Sequence, residues 1–308
     1  MTAACDRCRR PSVIFIRYSG QHLCTDHFLD LIRRRVRKEI RVQRLLAKRK
    51  VIGVAVSGGK DSLLALRLIH EIVEPFKDKE IVAITIDEGI EGYRPSSVGI
   101  AEKVAGDLGV RWELSDFRDL FGKDLDTMVR DSEHGPCTIC GILRRQALNR
   151  AAVRTGSEVL LTGHNLDDMA QTVLMNVLGA DIQRFARMGP HLDPIPGFVP
   201  RGMPLRTTPE TETYLAAHLL DIVLHDVECP YSVTAQRGVF RDLLLKAERE
   251  TPGTRHSLLS FHEKVSPLIG KMNSETEKCP GCGEPIIKSE EEKLCKACKL
   301  LHDMGVRR

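Results

Sequence analysis

Val51-Ile52-Gly53-Val54-Ala55-Val56-Ser57-Gly58-Gly59-Lys60-Asp61-Ser62 decides the fold of this chain. A β-rich apolar run, 51–56, enters two glycines, and helical spacing follows over 60–73. Such a turn is a phosphate cradle: glycines let the backbone approach an anion, while the free N–H groups and positive end of the helix hold it. Lys60 invites comparison with a Walker A loop. That motif needs Gly where Val54 stands and Ser or Thr where Asp61 stands, and the two mismatches exclude it. The bland alternative is an ordinary strand-to-helix turn.

Outward from this stretch the element types alternate. A strand is expected over 81–87, a helix over 97–108, a strand over 110–114, a helix over 139–154, a strand over 158–162 and a helix over 166–178. This βαβ order predicts an α/β, doubly wound parallel sheet of Rossmann type, with ligands at the carboxyl ends of its strands. Residues 179–209 carry Gly189, Pro190, Pro194, Pro196, Gly197, Pro200, Gly202 and Pro204 and read as a long loop rather than a packed element. Helical patterns return over 210–224 and 239–250.

The chain has 308 residues, 42% of them apolar, enough for one sizeable core. No apolar run approaches the ~18 residues of a membrane helix, and 1–8 lacks the apolar stretch of a signal peptide. The expectation is a cytoplasmic protein with no membrane partner. The net charge of +4 is too small to announce a nucleic-acid partner. Residues 31–50, however, hold ten Lys and Arg against the single acid Glu39, a local balance of +9. Phe28, Ile32, Val36 and Ile40 recur every fourth position there, which predicts a long basic helix. It reads as a phosphate-tracking strip for RNA, or as a merely solvated face.

Ten cysteines in a reduced compartment favour metal or redox chemistry over disulfides. Cys5-x2-Cys8-x15-Cys24-x2-His27, around a small hairpin turning near Ser19-Gly20, and Cys279-x2-Cys282-x12-Cys295-x2-Cys298 are closed four-ligand sets, the pattern of structural zinc. They read as two Zn²⁺ modules serving as RNA grips or dimer contacts. Between them, Pro136-Cys137-Thr-Ile-Cys140 puts two thiols at a helix start, where the dipole should lower thiol pKa, and Cys229 precedes Pro230. Three readings stay open for this trio: a zinc site lacking a ligand, a persulfide-carrying dithiol, and an iron–sulfur cluster on three thiolates.

The hexapeptide Ser57-Gly58-Gly59-Lys60-Asp61-Ser62 resembles the pyrophosphate loop of the ATP pyrophosphatases, which split ATP between the α and β phosphates and adenylate a substrate oxygen. The resemblance implies that the 57–62 N–H groups and the Ser57 and Ser62 hydroxyls hold pyrophosphate. Asp61 would be a Mg²⁺ partner, and the backbone around Ala55 and Ile86 would face adenine. Thr162-Gly163-His164-Asn165-Leu166-Asp167-Asp168 ends the fourth strand similarly, with Gly163 allowing close approach and Asp168 a second carboxylate for magnesium or substrate. His164 is either functional or a packing residue.

Together with Cys137-Thr-Ile-Cys140-Gly-Ile-Leu-Arg144-Arg145 and Glu228-Cys229-Pro-Tyr-Ser, these motifs resemble the tRNA 2-thiouridine synthetases of the archaeal and eukaryotic cytoplasmic type. The resemblance spans essentially the whole chain. It implies an ATP-dependent tRNA sulfurtransferase with a [4Fe-4S] cluster on Cys137, Cys140 and Cys229, an ATP-phosphate contact from Arg144, a ubiquitin-like sulfur-carrier protein as donor and a homodimer. Bacterial-type relatives have lysine at the Arg144 position, so charge is kept and shape is not. The expected division is 1–30 knuckle, 31–50 basic linker helix, 51–270 catalytic domain and 271–308 zinc ribbon. A nitrogen-delivering enzyme of the same fold would have no use for the central cysteines, and an RNA-binding module would leave the phosphate loop unexplained.

Overall fold

The computed structural model describes residues 3–192, 195–225, 227–234, 237–269, 276–287 and 293–306. Pro194 and the expected 270/271 boundary lie outside them. The chain opens on the hairpin β1 (Ile14–Ile16) and β2 (Gln21–Leu23), turned by Gly20 at φ 67°. Helix α1 (Thr25–Val42) follows at once and buries Phe28, Ile32, Val36 and Ile40, as their spacing predicts. It crosses the expected 30/31 boundary and stops well short of Lys50.

Next come β3 (Val51–Ala55), α2 (Lys60–Val73), β4 (Glu80–Asp87), α3 (Arg94–Asp107), β5 (Arg111–Asp116), the short α4 (Phe117–Phe121) and α5 (Leu125–Arg130), α6 (Pro136–Arg154), β6 (Val159–Leu161) and α7 (Leu166–Leu178). The loop expected over 179–209 is corrected: it contains α8 (Ile182–Ala186) and β7 (Arg201–Gly202). β7 is the fifth strand of the sheet. The Leu160 and Thr162 N–H groups donate to the Pro200 and Gly202 carbonyls at 2.8 and 3.0 Å, because β6 would otherwise expose an unpaired edge. A two-residue strand has no periodicity to read. α9 (Glu210–Leu219) ends before the predicted 224, and α10 (Arg237–Glu250), α11 (Thr254–Val265), the hairpin β8 (Thr276–Lys278) and β9 (Pro285–Ile287), and α12 (Lys296–Asp303), with 3-10 turns at Pro230–Thr234 and Ser266–Ile269, complete the described elements.

The sheet order is β5-β4-β3-β6-β7, with all neighbours parallel. The chain leaves β3 toward β4 and β5 and returns on its other side, so the carboxyl ends of β3 and β6 flank the switch point. Both faces are covered, as a parallel sheet requires. In β4, Ile81 and Ala83 join one core with α1, α2, α3 and α9 residues, while Val82, Ile84 and Ile86 join another with α4, α5, α6 and α12 residues. No helix among the described residues is long and apolar enough to cross a membrane.

Candidate active site

The loop after β3 closes on itself at the switch point. The Ser57 N–H donates to the Ser62 Oγ (3.1 Å), the Ser62 hydroxyl donates to the Gly59 carbonyl (2.8 Å), and the two hydroxyl oxygens lie 3.2 Å apart. Gly58 has φ 87°, and a Cβ there would sit 2.2 Å from the Ser97 carbonyl oxygen of α3. A Cβ on Gly163 would meet the Asp61 carbonyl carbon and Ser62 nitrogen at 2.8 Å. The nearest neighbours of both glycines are thus backbone atoms of adjoining elements, which hold the loop against α3 and α2 against β6. Motif reading does not reveal this use.

Lys60 and Asp61 are tied to α9. The Asp61 carboxylate accepts from the Thr213 hydroxyl at 2.5 Å, and Lys60 Nζ lies 3.1 Å from Asp61 and 2.8 Å from Glu210. Burial pushes the Asp61 carboxyl up against the pull of Lys60 and Thr213. Thr213 and Glu210 lie some 150 positions away in sequence and carry no motif, so sequence reasoning missed them. Ala55, half-buried, ends β3, and Ile86 is buried near the end of β4. At the end of β6, Thr162 Oγ1 and His164 Nδ1 lie 2.8 Å apart, and burial lowers the His164 pKa, favouring the neutral ring. Asp168 makes a capping box with Asn165 (both bonds 3.1 Å) and faces Arg237 at 3.5 Å.

The central cysteines lie around the start of α6. Cys140 is buried, Cys229 half-buried in the same apolar cluster and Cys137 exposed. Cys137 Sγ lies 3.8 Å from the carbonyl of Tyr231, two residues beyond Cys229. Burial raises the Cys140 thiol to about 11, with Glu88, Cys229 and Cys137 adding to the rise against Arg144. The expectation of a dipole-lowered thiol is therefore corrected for Cys140, because desolvation outweighs the helix end. Their three sulfurs are not all within 4.8 Å of one another, a spacing too wide for one ion and open to a cluster whose thiolates sit on different irons.

Arg144 links this site to the sheet. Its Nε reaches Glu88 just past β4, and its Nη2 lies 2.9 Å from Cys140 Sγ. Glu88 also pairs with Arg94, Nε to Oε2 at 2.7 Å, and Arg94 donates to the Ser57 carbonyl (3.0 Å), the Ser97 hydroxyl (2.8 Å) and the Ile86 carbonyl. Arg94 and Glu88 were not identified from sequence, since a buried Arg–Glu pair six residues apart has no local signature.

Among the described residues, Cys5, Cys8, Cys24 and His27 form one set and Cys279, Cys282, Cys295 and Cys298 another, each with ligand atoms all within 4.8 Å of one another. The Cys8–Cys24 and Cys282–Cys295 sulfur pairs are 3.6 and 3.7 Å apart. A tetrahedron with metal–sulfur bonds of about 2.3 Å has edges of about 3.8 Å, so these sets fit a single ion. Burial opposes it, but the backbone N–H groups of Cys24 and Arg7, the His27 side chain and the Cys8 N–H bring the Cys5 thiol to about 6, toward the thiolate a metal needs. Neither set stands apart from the core. The Gln146 amide of α6 lies 3.6 and 3.7 Å from the Cys282 and Cys295 sulfurs, Arg150 pairs with Glu284 at 2.7 Å, and α12 packs on α6 through Leu300 and Leu301. Removing the ion from the C-terminal set, by chelation or Cys282→Ser, is expected to lower Tm by several degrees and to speed proteolysis of α6. An unchanged melt and cleavage pattern would refute this bracing role.

The basic stretch is only partly available to a partner. Arg33 pairs with Glu71 (2.8 Å), Arg34 with Asp30 (2.8 Å) and Arg35 with buried Glu212 (2.5 Å), and Arg49 donates to the Arg44 and Leu45 carbonyls. Arg37, Lys38, Arg41, Arg44, Lys48 and Lys50 are exposed, so fewer cations than the ten of 31–50 are open to a partner.

Comparison with known proteins agrees with this architecture. Residues 5–29 match the N-terminal LIM domain of the 2-thiouridine synthetase TtuA, and residues 32–189 match the PP-loop domain. The chain is 39% identical to the tRNA 2-thiolation protein NcsA of Haloferax volcanii, covering 97% of this chain and 98% of that one. It is 32% identical to cytoplasmic tRNA 2-thiolation protein 1 of Caenorhabditis elegans, over 98% and 82%. Among solved structures, the U34-tRNA thiolase NcsA of Methanococcus maripaludis, with its [4Fe-4S] cluster, superposes with a TM-score of 0.87 at 32% identity, covering 100% of this chain and 98% of that one. With its phosphate loop, its three central cysteines and two terminal four-ligand sets that could hold a metal ion, the chain belongs to the tRNA 2-thiolation family of PP-loop enzymes.

Proposed function

We propose that this enzyme uses ATP to adenylate the 2-oxygen of a tRNA uridine and exchanges that oxygen for sulfur. The carrying observation is that the phosphate loop and the three central thiols lie at one carboxyl edge of one sheet. The uridine oxygen attacks the α-phosphorus and pyrophosphate leaves; the oxygen later departs with AMP when sulfur adds at C2. The N–H groups and hydroxyls of 57–62 hold the pyrophosphate, Lys60 and Arg144 offset the charge developing on the phosphates, and Asp61 and Asp168 are the carboxylates for Mg²⁺. Cys137, Cys140 and Cys229 hold the cluster. When bound, a [4Fe-4S] cluster on three thiolates leaves one iron without a protein ligand, where hydrosulfide can be held as a nucleophile.

The two terminal sets hold Zn²⁺. Arg37, Lys38, Arg41 and Arg44 follow tRNA phosphates, and likeness to the Methanococcus enzyme favours the wobble uridine over the T-loop. A ubiquitin-like carrier delivers sulfur as its thiocarboxylate to a cytoplasmic homodimer. The test is anaerobic purification with iron and zinc counted, followed by incubation with tRNA, ATP and sulfide. The expected result is iron with zinc and the mass gain of an oxygen-to-sulfur exchange that requires ATP. Zinc without iron, and no ATP-dependent gain, defeats the reading; ATP-dependent thiolation from sulfide without iron removes the cluster from it and leaves hydrosulfide attacking C2 unaided.

A further inference from the structure

We propose that Glu88 and Arg94 are positioning residues that tie the shape of the phosphate loop to the placement of Arg144 beside the cysteines. The inference rests on the ATP chemistry proposed above. Glu88 and Arg94 have side chains only 2% and 3% exposed, and their charges cancel within one 2.7 Å pair. Arg94 donates from Nη1 to the Ser57 carbonyl and the Ser97 hydroxyl and from Nη2 to the Ile86 carbonyl. One guanidinium therefore fastens the phosphate loop, the end of β4 and the start of α3 together.

Arg144 is the second cation on a carboxylate already neutralised, and at 47% exposure it is the accessible one. Glu88 takes its Nε and Cys140 lies at Nη2, so neither contact uses Nη1. Loss of Arg144 leaves the Glu88–Arg94 pair whole. Loss of the Glu88 charge leaves two guanidiniums with no anion between them, one of them buried, so the loop and Arg144 are released together. The two sites thus share one carboxylate, which is a physical route for coupling between them.

The measurement is affinity for a non-hydrolysable ATP analogue, with iron retained per chain, in anaerobically purified full-length protein. Glu88→Gln is expected to weaken the analogue tenfold or more and to lower retained iron. The double variant with Arg144→Gln is expected to be little worse than Glu88→Gln alone, a non-additivity that general destabilisation does not produce. Arg94→Lys keeps the charge but not the fork, and is expected to weaken the analogue while keeping iron. Wild-type behaviour of Glu88→Gln, or additive losses with Arg144→Gln, overturns the inference. Should Glu88→Gln fail to fold, Arg94→Lys decides, and unchanged analogue binding there overturns it. Wild-type protein that binds no analogue overturns the proposed function itself, whereas binding unaltered in the variants overturns only the coupling.

Discussion

Cys229→Ala is expected to bind an ATP analogue as the native protein does, to lose its iron and to leave tRNA thiolation at background. Cys229 is half-buried, packed with Tyr93 and Tyr231 against the cluster of apolar residues that contains Cys140, and it lies outside the 57–62 loop. Trimming one sulfur there costs little packing, so folding and analogue binding survive. Mutating groups that merely support metal ligands typically costs about 10–100-fold in metal affinity, and loss of a direct ligand should exceed that. The checks are the visible absorbance and iron content of anaerobically purified protein and mass analysis of the tRNA. Full iron with full thiolation would remove Cys229 from the ligand set.

Gly58→Ala is expected to destabilise the fold by about 2–5 kcal/mol and to abolish analogue binding. The left-handed backbone at φ 87° costs a non-glycine residue about 1–2 kcal/mol. The new Cβ would also press to 2.2 Å on the Ser97 carbonyl, and overpacking of this kind costs about 1–3 kcal/mol. Relief requires moving α3 or opening the loop that Arg94 holds from Ser57. Gly59 is the internal control. Its φ is −82°, and a Cβ there meets nothing closer than the Ser57 hydroxyl at 3.6 Å, so Gly59→Ala should fold with little loss. Gly163→Ala, with backbone at 2.8 Å but no left-handed φ, should fall between them. Denaturant melts of the three variants give the order, and equal stability for Gly58→Ala and Gly59→Ala would contradict it.

Local sequence carried the features that depend on local geometry. The strand-turn-helix of the phosphate loop, the paired ligand spacing of the two four-ligand sets, the four-residue apolar spacing of α1 and the βαβ order are all legible in short stretches of chain. β7 was hidden in a Pro- and Gly-rich stretch, because only the open edge of β6 makes a strand of it. The +9 of residues 31–50 was misleading as a surface, since Glu71 and Glu212 consume part of it from distant helices. Cys140 at a helix start promised a lowered pKa, and its burial against the core reverses the direction.

By itself, then, the sequence determined the fold class, the anion-binding loop, the two four-ligand sets and the three thiols between them, because periodicity and ligand spacing are written in consecutive residues. Tertiary structure alone decided what joins them. Arg94 and Glu88 connect the loop to the cysteines, Thr213 and Glu210 hold Asp61 and Lys60, and Gln146 and Arg150 brace α6 on the C-terminal metal set. The physical reason is that a buried charge or polar group takes whatever partner the packing brings to it, and that partner's position in the chain obeys no period.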